Sequence, residues 1–200
     1  APLIRTYADA AEHNHRLSPE VVTALVDAGL FRLYLPHTLN GAELDPMAFA
    51  QVLEEISRID GSTGWCVWIG NVNTLFVIPL ADKAVATIFA KDHRGVTGSA
   101  FFPQGKAEYR DTGYVVSGRW PYASGCQHCT WYFVLCNVFD GEQPRLTPQG
   151  TPEVRACFLP IEQVTIEETW DVSGLAGTGS HDVILDQVFV PEAYSWQFTA

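Results

Sequence analysis

Ser117–Trp131, reading SGRWPYASGCQHCTW, is the stretch from which the fold is best read. Its head finishes an alternating segment, Tyr114–Trp120, and its tail opens a strongly apolar one, Trp131–Val138. Both predict β-strands. Between them lie a proline, small polar residues, aromatics and glycine. Small residues let a ligand come close to the backbone. Aromatic side chains offer a flat wall to a ring system, and serine hydroxyls donate or accept at a ring nitrogen. Val96–Gly105 (VTGSAFFPQG) has the same make-up. The residues alone leave two readings open: a ligand-facing edge, or an ordinary turn between strands.

Working outward, Lys106–Arg110 and Tyr114–Trp120 are joined by Asp111-Thr112-Gly113, a hairpin signature. Trp131–Val138 stops at Asp140-Gly141, and Gln143–Pro152 reads as a polar, proline-bearing loop. Val154–Leu159, Val164–Trp170 and Val183–Val190 complete a set of short strands with frequent turns, the pattern of a small antiparallel barrel or sandwich. Upstream of His93-Arg94-Gly95 the period is helical instead. Leu3, Ile4, Tyr7, Ala8 and Ala11 share one helical face. Ser18-Pro19-Glu20 starts a second helix, with Val21, Val22, Leu25 and Val26 as its apolar stripe and Gly29 as its stop. Asn40-Gly41 marks a turn. Asp45-Pro46 starts a third helix whose buried face is Phe49, Val52, Leu53, Ile56 and Ile59. Asp60-Gly61-Ser62 caps a fourth, Thr63–Ile78, apolar nearly all round and so expected to be buried between others, with Pro79 ending it. Asp82–Phe89 is a fifth. The predicted class is α+β: an all-helical domain over residues 1–94, then a β-domain over 95–200, packed together without a flexible linker.

Apolar residues make up 47% of the 200 and charged residues 18%, which supports a buried core and argues against disorder. Six Trp, seven Tyr and eleven Phe suit core packing or an aromatic-walled pocket. Twelve basic and 23 acidic residues give a formal charge of -11. The basic residues are scattered, so neither nucleic acid nor an anionic membrane is an expected partner. No stretch approaches the roughly 20 apolar residues of a membrane helix. Five cysteines and no secretion signal ahead of Ala1 predict reduced thiols in the cytoplasm.

Cys126-x-His128-Cys129 places three potential ligands within four residues, but no second pair at zinc spacing accompanies it, and His37, His93 and His181 are isolated. No metal site is expected. There is no G-x-S-x-G elbow, and Ser124-Gly125-Cys126 has no base at a diagnostic spacing. Gly174-x-x-Gly177-x-Gly179 precedes a strand, so the helix terminus that binds phosphate in dinucleotide folds is missing.

Three segments together resemble a known family: Glu54–Trp68 (EEISRIDGSTGWCVW), Ser117–Trp131, and Trp170–Pro191 (WDVSGLAGTGSHDVILDQVFVP). The chain is similar to the acyl-CoA dehydrogenase fold, and more narrowly to the two-component flavin-dependent monooxygenases built on it. The resemblance implies reduced FMN or FAD supplied by a partner reductase, oxygen, a small aromatic or other ring substrate, and a homo-oligomer, by likeness a tetramer. It places Ser124 near flavin N5 and Ser99 close to the reacting centre as the catalytic pair. It also sets Gly98, Tyr122 and Trp120 against the cofactor, Trp120 by its indole; a barrel-wall aromatic is the alternative reading of that tryptophan.

Two departures qualify it. Where some relatives carry a substrate-contacting His, Gly70–Thr74 offers Asn71 and Asn73; Asn73 is the candidate substrate contact, or else satisfies a backbone group. The family continues past Val190-Pro191 into a C-terminal helical bundle, absent from these 200 residues, so a flavin site formed here is expected to be one wall of a larger one. An acyl-CoA dehydrogenase proper is the alternative enzyme, disfavoured because VTGSAFFPQG lacks the acidic element of the loop usual there. A non-catalytic binding or scaffold protein on the same fold is the other alternative.

Overall fold

A computed structural model describes residues 1–89 and 94–198; His93, at the junction read from sequence, and the last two residues lie outside that range. Among the described residues, five α-helices precede an eight-stranded sheet. The helices begin where their caps predict. Ser18 Oγ accepts from the Val21 N–H ahead of α2 (Pro19–Asp27), which follows α1 (Pro2–Asn14). Asp45 Oδ1 accepts from the Met47 and Ala48 N–H groups at 2.9 and 3.1 Å to open α3 (Pro46–Ser57). Asp60 Oδ2 accepts from both the backbone and the hydroxyl of Thr63 at 2.7 and 2.6 Å to open α4 (Gly61–Leu75). Such caps satisfy donors that a helix end leaves free, for about 1 kcal/mol each. Helix α5 (Asp82–Phe89) has the expected bounds.

Helix α4 differs from its sequence reading. It starts two residues earlier, ends at Leu75 well before Pro79, and buries polar as well as apolar residues: Ser62, Thr63, Asn71, Asn73 and Thr74 are buried alongside Cys66 and Val67, whereas Trp65 and Leu75 are 40% and 44% exposed. The buried amide of Asn71 is fully paired. It accepts from Leu33 N–H at 2.7 Å and donates to the carbonyls of Leu30 and Val67 at 2.7 and 2.8 Å. A polar group so satisfied is buried at little cost, and it ties α4 to the connection that follows α2.

The sheet comprises β1 (Thr97–Arg110), β2 (Gly113–Ala123), β3 (Trp131–Asp140), β4 (Gln143–Pro144), β5 (Val154–Pro160), β6 (Thr165–Glu167), β7 (His181–Pro191) and β8 (Ser195–Phe198). Their order is β6-β7-β2-β1-β3-β5-β8, with β4 on β3. The predicted hairpin closes with Arg110 opposite Gly113. One pair departs from the antiparallel expectation: β1 and β3 run parallel, Thr97 opposite Trp131. Strand β2 runs against β1, the chain reverses again into β3, and β3 lies beside β1 rather than β2, so that pair is parallel. The segment 124–130 makes the crossing. The register of β1 on β3 shifts between Ala100 and Gly105, a bulge that turns Phe101 and Phe102 out of the sheet.

The loop expected over Gln143–Pro152 contains β4 and a Leu146–Pro152 bridge. The strand expected over Val164–Trp170 shrinks to β6, because the N–H groups of Thr169 and Trp170 turn to His181 Nδ1, each at 3.1 Å. The core lies where α2 and α4 meet the sheet, with Val21, Leu25 and Val67 in one cluster with Trp120, Tyr132 and Val134.

All five cysteines are free and buried. Burial pushes the Cys126 thiol up to about 12 and the Cys66, Cys129 and Cys136 thiols up as well. Only a thiolate attacks a disulfide reagent. Such a reagent at pH 8 is therefore expected to leave the native thiols unmodified and to titrate all five after denaturation; rapid native-state labelling of Cys126 would contradict this.

Candidate functional site

Strand β2 ends in a sharp reversal. Tyr122 takes the left-handed conformation at φ 62°, which costs a non-glycine residue about 1 kcal/mol or more. Ser124 N–H closes the turn on the Tyr122 carbonyl at 2.9 Å, and Gly125, at φ 73°, donates to the Thr178 carbonyl at 2.9 Å. Tyr122 therefore points outward, 61% exposed, and Ser124 inward, 8% exposed.

The glycine-rich segment before β7 forms the facing wall. Glu12, on α1, grips it: its carboxylate accepts from Ser62 Oγ at 2.5 Å and from the Ala176 and Gly177 N–H groups at 3.0 Å each. Burial raises the Glu12 pKa, but the hydrogen bonds from Ser62, Gly177 and Ala176 outweigh it and leave the carboxyl below its usual range. Sequence reading missed Glu12. One signal was available: an acid near the C-terminal end of a helix opposes the dipole and invites the question of what holds it there.

Between these walls lies a cavity of about 400 Å³, within the range of small-molecule sites. Trp65 and Ile69 of α4, Phe101 and Phe102 of the β1 bulge, Tyr122 and Trp170 supply its apolar lining. Ser99, Ser124, Thr178 and Ser180 supply its polar lining. The Tyr122 ring meets Trp170 edge-on at 6.2 Å and Phe102 at 6.4 Å, forming an aromatic rim. A larger hollow of about 650 Å³ lies beyond Phe101, beside Pro103, Thr147, Gln149 and Phe198. It has none of the buried hydroxyls that line the first.

The hydroxyls form directed chains. Trp65 Nε1–H donates to Ser124 Oγ at 3.0 Å; Ser124 and Ser180 hydroxyls lie 2.7 Å apart, and Ser180 and Thr178 hydroxyls 2.8 Å apart. Thr178 Oγ1 in turn donates to the Leu175 carbonyl at 2.8 Å. On the other side, Asn73 Nδ2 donates to the Thr97 carbonyl at 3.2 Å, which turns its Oδ1 to accept from Ser99 Oγ at 2.8 Å.

The geometry brings together Ser99, Ser124 and Tyr122 of the residues singled out from sequence. Three others do not reach the cavity. Trp120 is fully buried, and its indole N–H donates to the Leu135 carbonyl at 2.9 Å; it is a wall aromatic, with no face left for a cofactor. Gly98 is a packing position: a Cβ there would lie 2.5 Å from Cys129 Sγ and 2.6 Å from the Tyr132 ring. Asn73 has no exposed surface and acts on the site by holding Ser99. The Cys126-x-His128-Cys129 side chains diverge. Cys126 Sγ faces the Gly179 carbonyl, Cys129 Sγ the Gly125 carbonyl, and His128 packs on Phe31.

Burial pulls His128 down to about 4 and lowers His181 as well. Both are neutral in the folded protein at pH 7. A histidine lowered by folding binds its proton more readily unfolded, so stability rises with pH between the two values. Stability is expected to be full above about pH 6.5 and to fall as the pH drops towards 4. Below about 4.5 the lowered Glu12 carboxyl adds a second loss as it protonates. Chemical denaturation at a series of pH values checks this; a flat profile from pH 7 to 4 would contradict it.

The fold matches that of the N-terminal and middle domains of acyl-CoA dehydrogenase-like proteins. Residues 3–83 match the family "Acyl-CoA dehydrogenase, N-terminal domain". Over 190 residues, 95% of the chain, it is 33% identical to the flavin-dependent monooxygenase oxygenase subunit HsaA of Mycobacterium tuberculosis, covering 46% of that protein. The crystal structure of that enzyme superposes with a TM-score of 0.88 at 32% identity, over 98% of this chain and 50% of that one. The chain is also 32% identical, over 96% of its length and 46% of the relative, to the oxygenase component of an FADH2-dependent resorcinol hydroxylase from Rhizobium sp.. XiaF from Streptomyces sp., crystallised with FADH2 and glycerol, superposes with a TM-score of 0.89 at 26% identity, over 98% of this chain and 48% of that one. The chain thus spans about half the length of the relatives it matches.

Proposed function

We propose that the chain forms the flavin-facing part of the oxygenase component of a two-component monooxygenase, which hydroxylates an aromatic or other ring substrate with reduced FMN or FAD and O2. One observation carries the reading: Ser99 and Ser124 converge in an aromatic-walled cavity of about 400 Å³. The names of the relatives support it. The residues fit a flavin ring, since flat apolar walls suit its faces and the two hydroxyls suit its polar edge. The reduced flavin, when bound, supplies the electrons for oxygen activation. The chain's own residues bind and orient it. Ser99 and Ser124 hold and orient the ring; Tyr122, Phe102 and Trp170 exclude water from its rim; Asn73 and Trp65 fix the serines. Preorganised groups of this kind act by orientation and electrostatics.

The proposal extends to a helical unit over 1–94 and a β-unit over 95–200, a separate flavin reductase, a homotetramer and a cytoplasmic setting. No described helix is long and apolar enough to cross a membrane. Anaerobic titration of the complete protein with reduced FMN and reduced FAD tests the core of the reading. Saturable binding that quenches tryptophan fluorescence is expected; no binding of either flavin counts against it.

A further inference from the structure

The hydroxyl chain beside Ser124 has a fixed direction. A carbonyl oxygen carries no hydrogen, so the 2.8 Å gap between Thr178 Oγ1 and the Leu175 carbonyl is bridged by the Thr178 proton. Thr178 then has only lone pairs to offer, and Ser180, 2.8 Å away, donates to it. Ser180, its one proton engaged, accepts from Ser124 across 2.7 Å. Ser124 already accepts from Trp65 Nε1–H. A hydroxyl has one donor and two acceptor sites, so one Ser124 lone pair remains for the cavity. Ser99 reaches the same state separately, its proton held by Asn73 Oδ1. Both candidate serines therefore face the cavity as acceptors.

From this we infer that Thr178 and Ser180 are positioning residues that make the site selective for the redox state of its flavin, an inference that rests on the flavin reading above. Reduced isoalloxazine carries N–H at its central N5, whereas the oxidised ring presents a bare lone pair there. With N5 at Ser124, the placement the family resemblance implies, an acceptor there pairs with the first and repels the second. The polarity originates at the Leu175 carbonyl and is relayed through two buried hydroxyls, Thr178 at 2% and Ser180 at 5% exposure. Without the Thr178 hydroxyl, Ser180 is free to donate to Ser124, and the Ser124 proton turns into the cavity.

The test is the ratio of dissociation constants for oxidised and reduced flavin, measured anaerobically on the complete protein. The unmodified protein binds reduced flavin more tightly. Thr178→Val, which keeps the side-chain shape, lowers the preference about tenfold, the worth of one hydrogen bond gained or lost. Thr178→Ser restores it. Ser180→Ala, which removes the acceptor of the Ser124 proton, lowers it as Thr178→Val does and serves if the valine variant does not fold. Equal weakening of both forms, with the ratio unchanged, overturns the relay and leaves the flavin reading standing. Failure of the unmodified protein to bind either form overturns both.

Discussion

Trp120→Ala is expected to destabilise the protein by about 3–5 kcal/mol, the usual cost of truncating a fully buried large aromatic. For a chain of this size that corresponds to a fall in Tm on the order of 10 °C. The indole fills the core between helices and sheet, with its N–H on the Leu135 carbonyl and no exposed surface. The loss combines apolar contact, a cavity and a hydrogen bond. The size of the effect distinguishes two roles for this residue. A tryptophan lying against a cofactor lowers cofactor affinity when removed and leaves the empty protein's melting temperature nearly unchanged. A wall tryptophan does the reverse. Thermal melts in the absence of flavin decide between them, and a Tm within 2 °C or so of the parent would contradict the wall assignment.

Ser124→Ala carries the second large expectation. Ser124 is the acceptor of Trp65 Nε1–H, the neighbour of Ser180 and, in the proposed complex, a contact of the flavin edge. Its removal leaves the indole N–H without its partner and lets the bound ring shift. Misplacement of reacting groups by about 1 Å commonly costs on the order of 100-fold in rate. Hydroxylation by the complete protein at saturating reduced flavin is expected to fall by about that factor. Tyr122→Phe, on the exposed rim with its ring retained, is expected to stay near the parent rate. Full activity of Ser124→Ala would remove the serine from the account.

How much of this was legible beforehand follows from the range of the interactions involved. Local chemistry read well. Asp45, Asp60 and Ser18 cap their helices through bonds spanning two or three residues, and Asp111-Thr112-Gly113 closes its hairpin for equally local reasons. Ser99 and Ser124 were found through resemblance, since a serine beside a turn looks alike in any sheet protein.

Long-range pairings were the opaque part. Glu12 finds its partners Ser62, Ala176 and Gly177 as many as 165 residues away. The burial of polar residues on α4 depends on which backbone groups Asn71 and Asn73 meet, among them Leu30, Leu33 and Thr97. The parallel β1–β3 pair depends on the side of β1 to which β3 returns. Trp120 satisfies flat-wall and core-filler patterns equally, and only its hydrogen bond to Leu135 and its burial separate them.

The central claim is that the cavity between Ser99 and Ser124 receives the flavin ring. A crystal structure of the complete protein with reduced flavin bound tests it most directly. The isoalloxazine is expected against Trp65, its N5 edge within hydrogen-bond distance of Ser124 Oγ and the Tyr122–Trp170 rim beside it. A ring seated instead in the larger hollow between Pro103, Thr147 and Phe198, with Ser99 and Ser124 untouched, would contradict it.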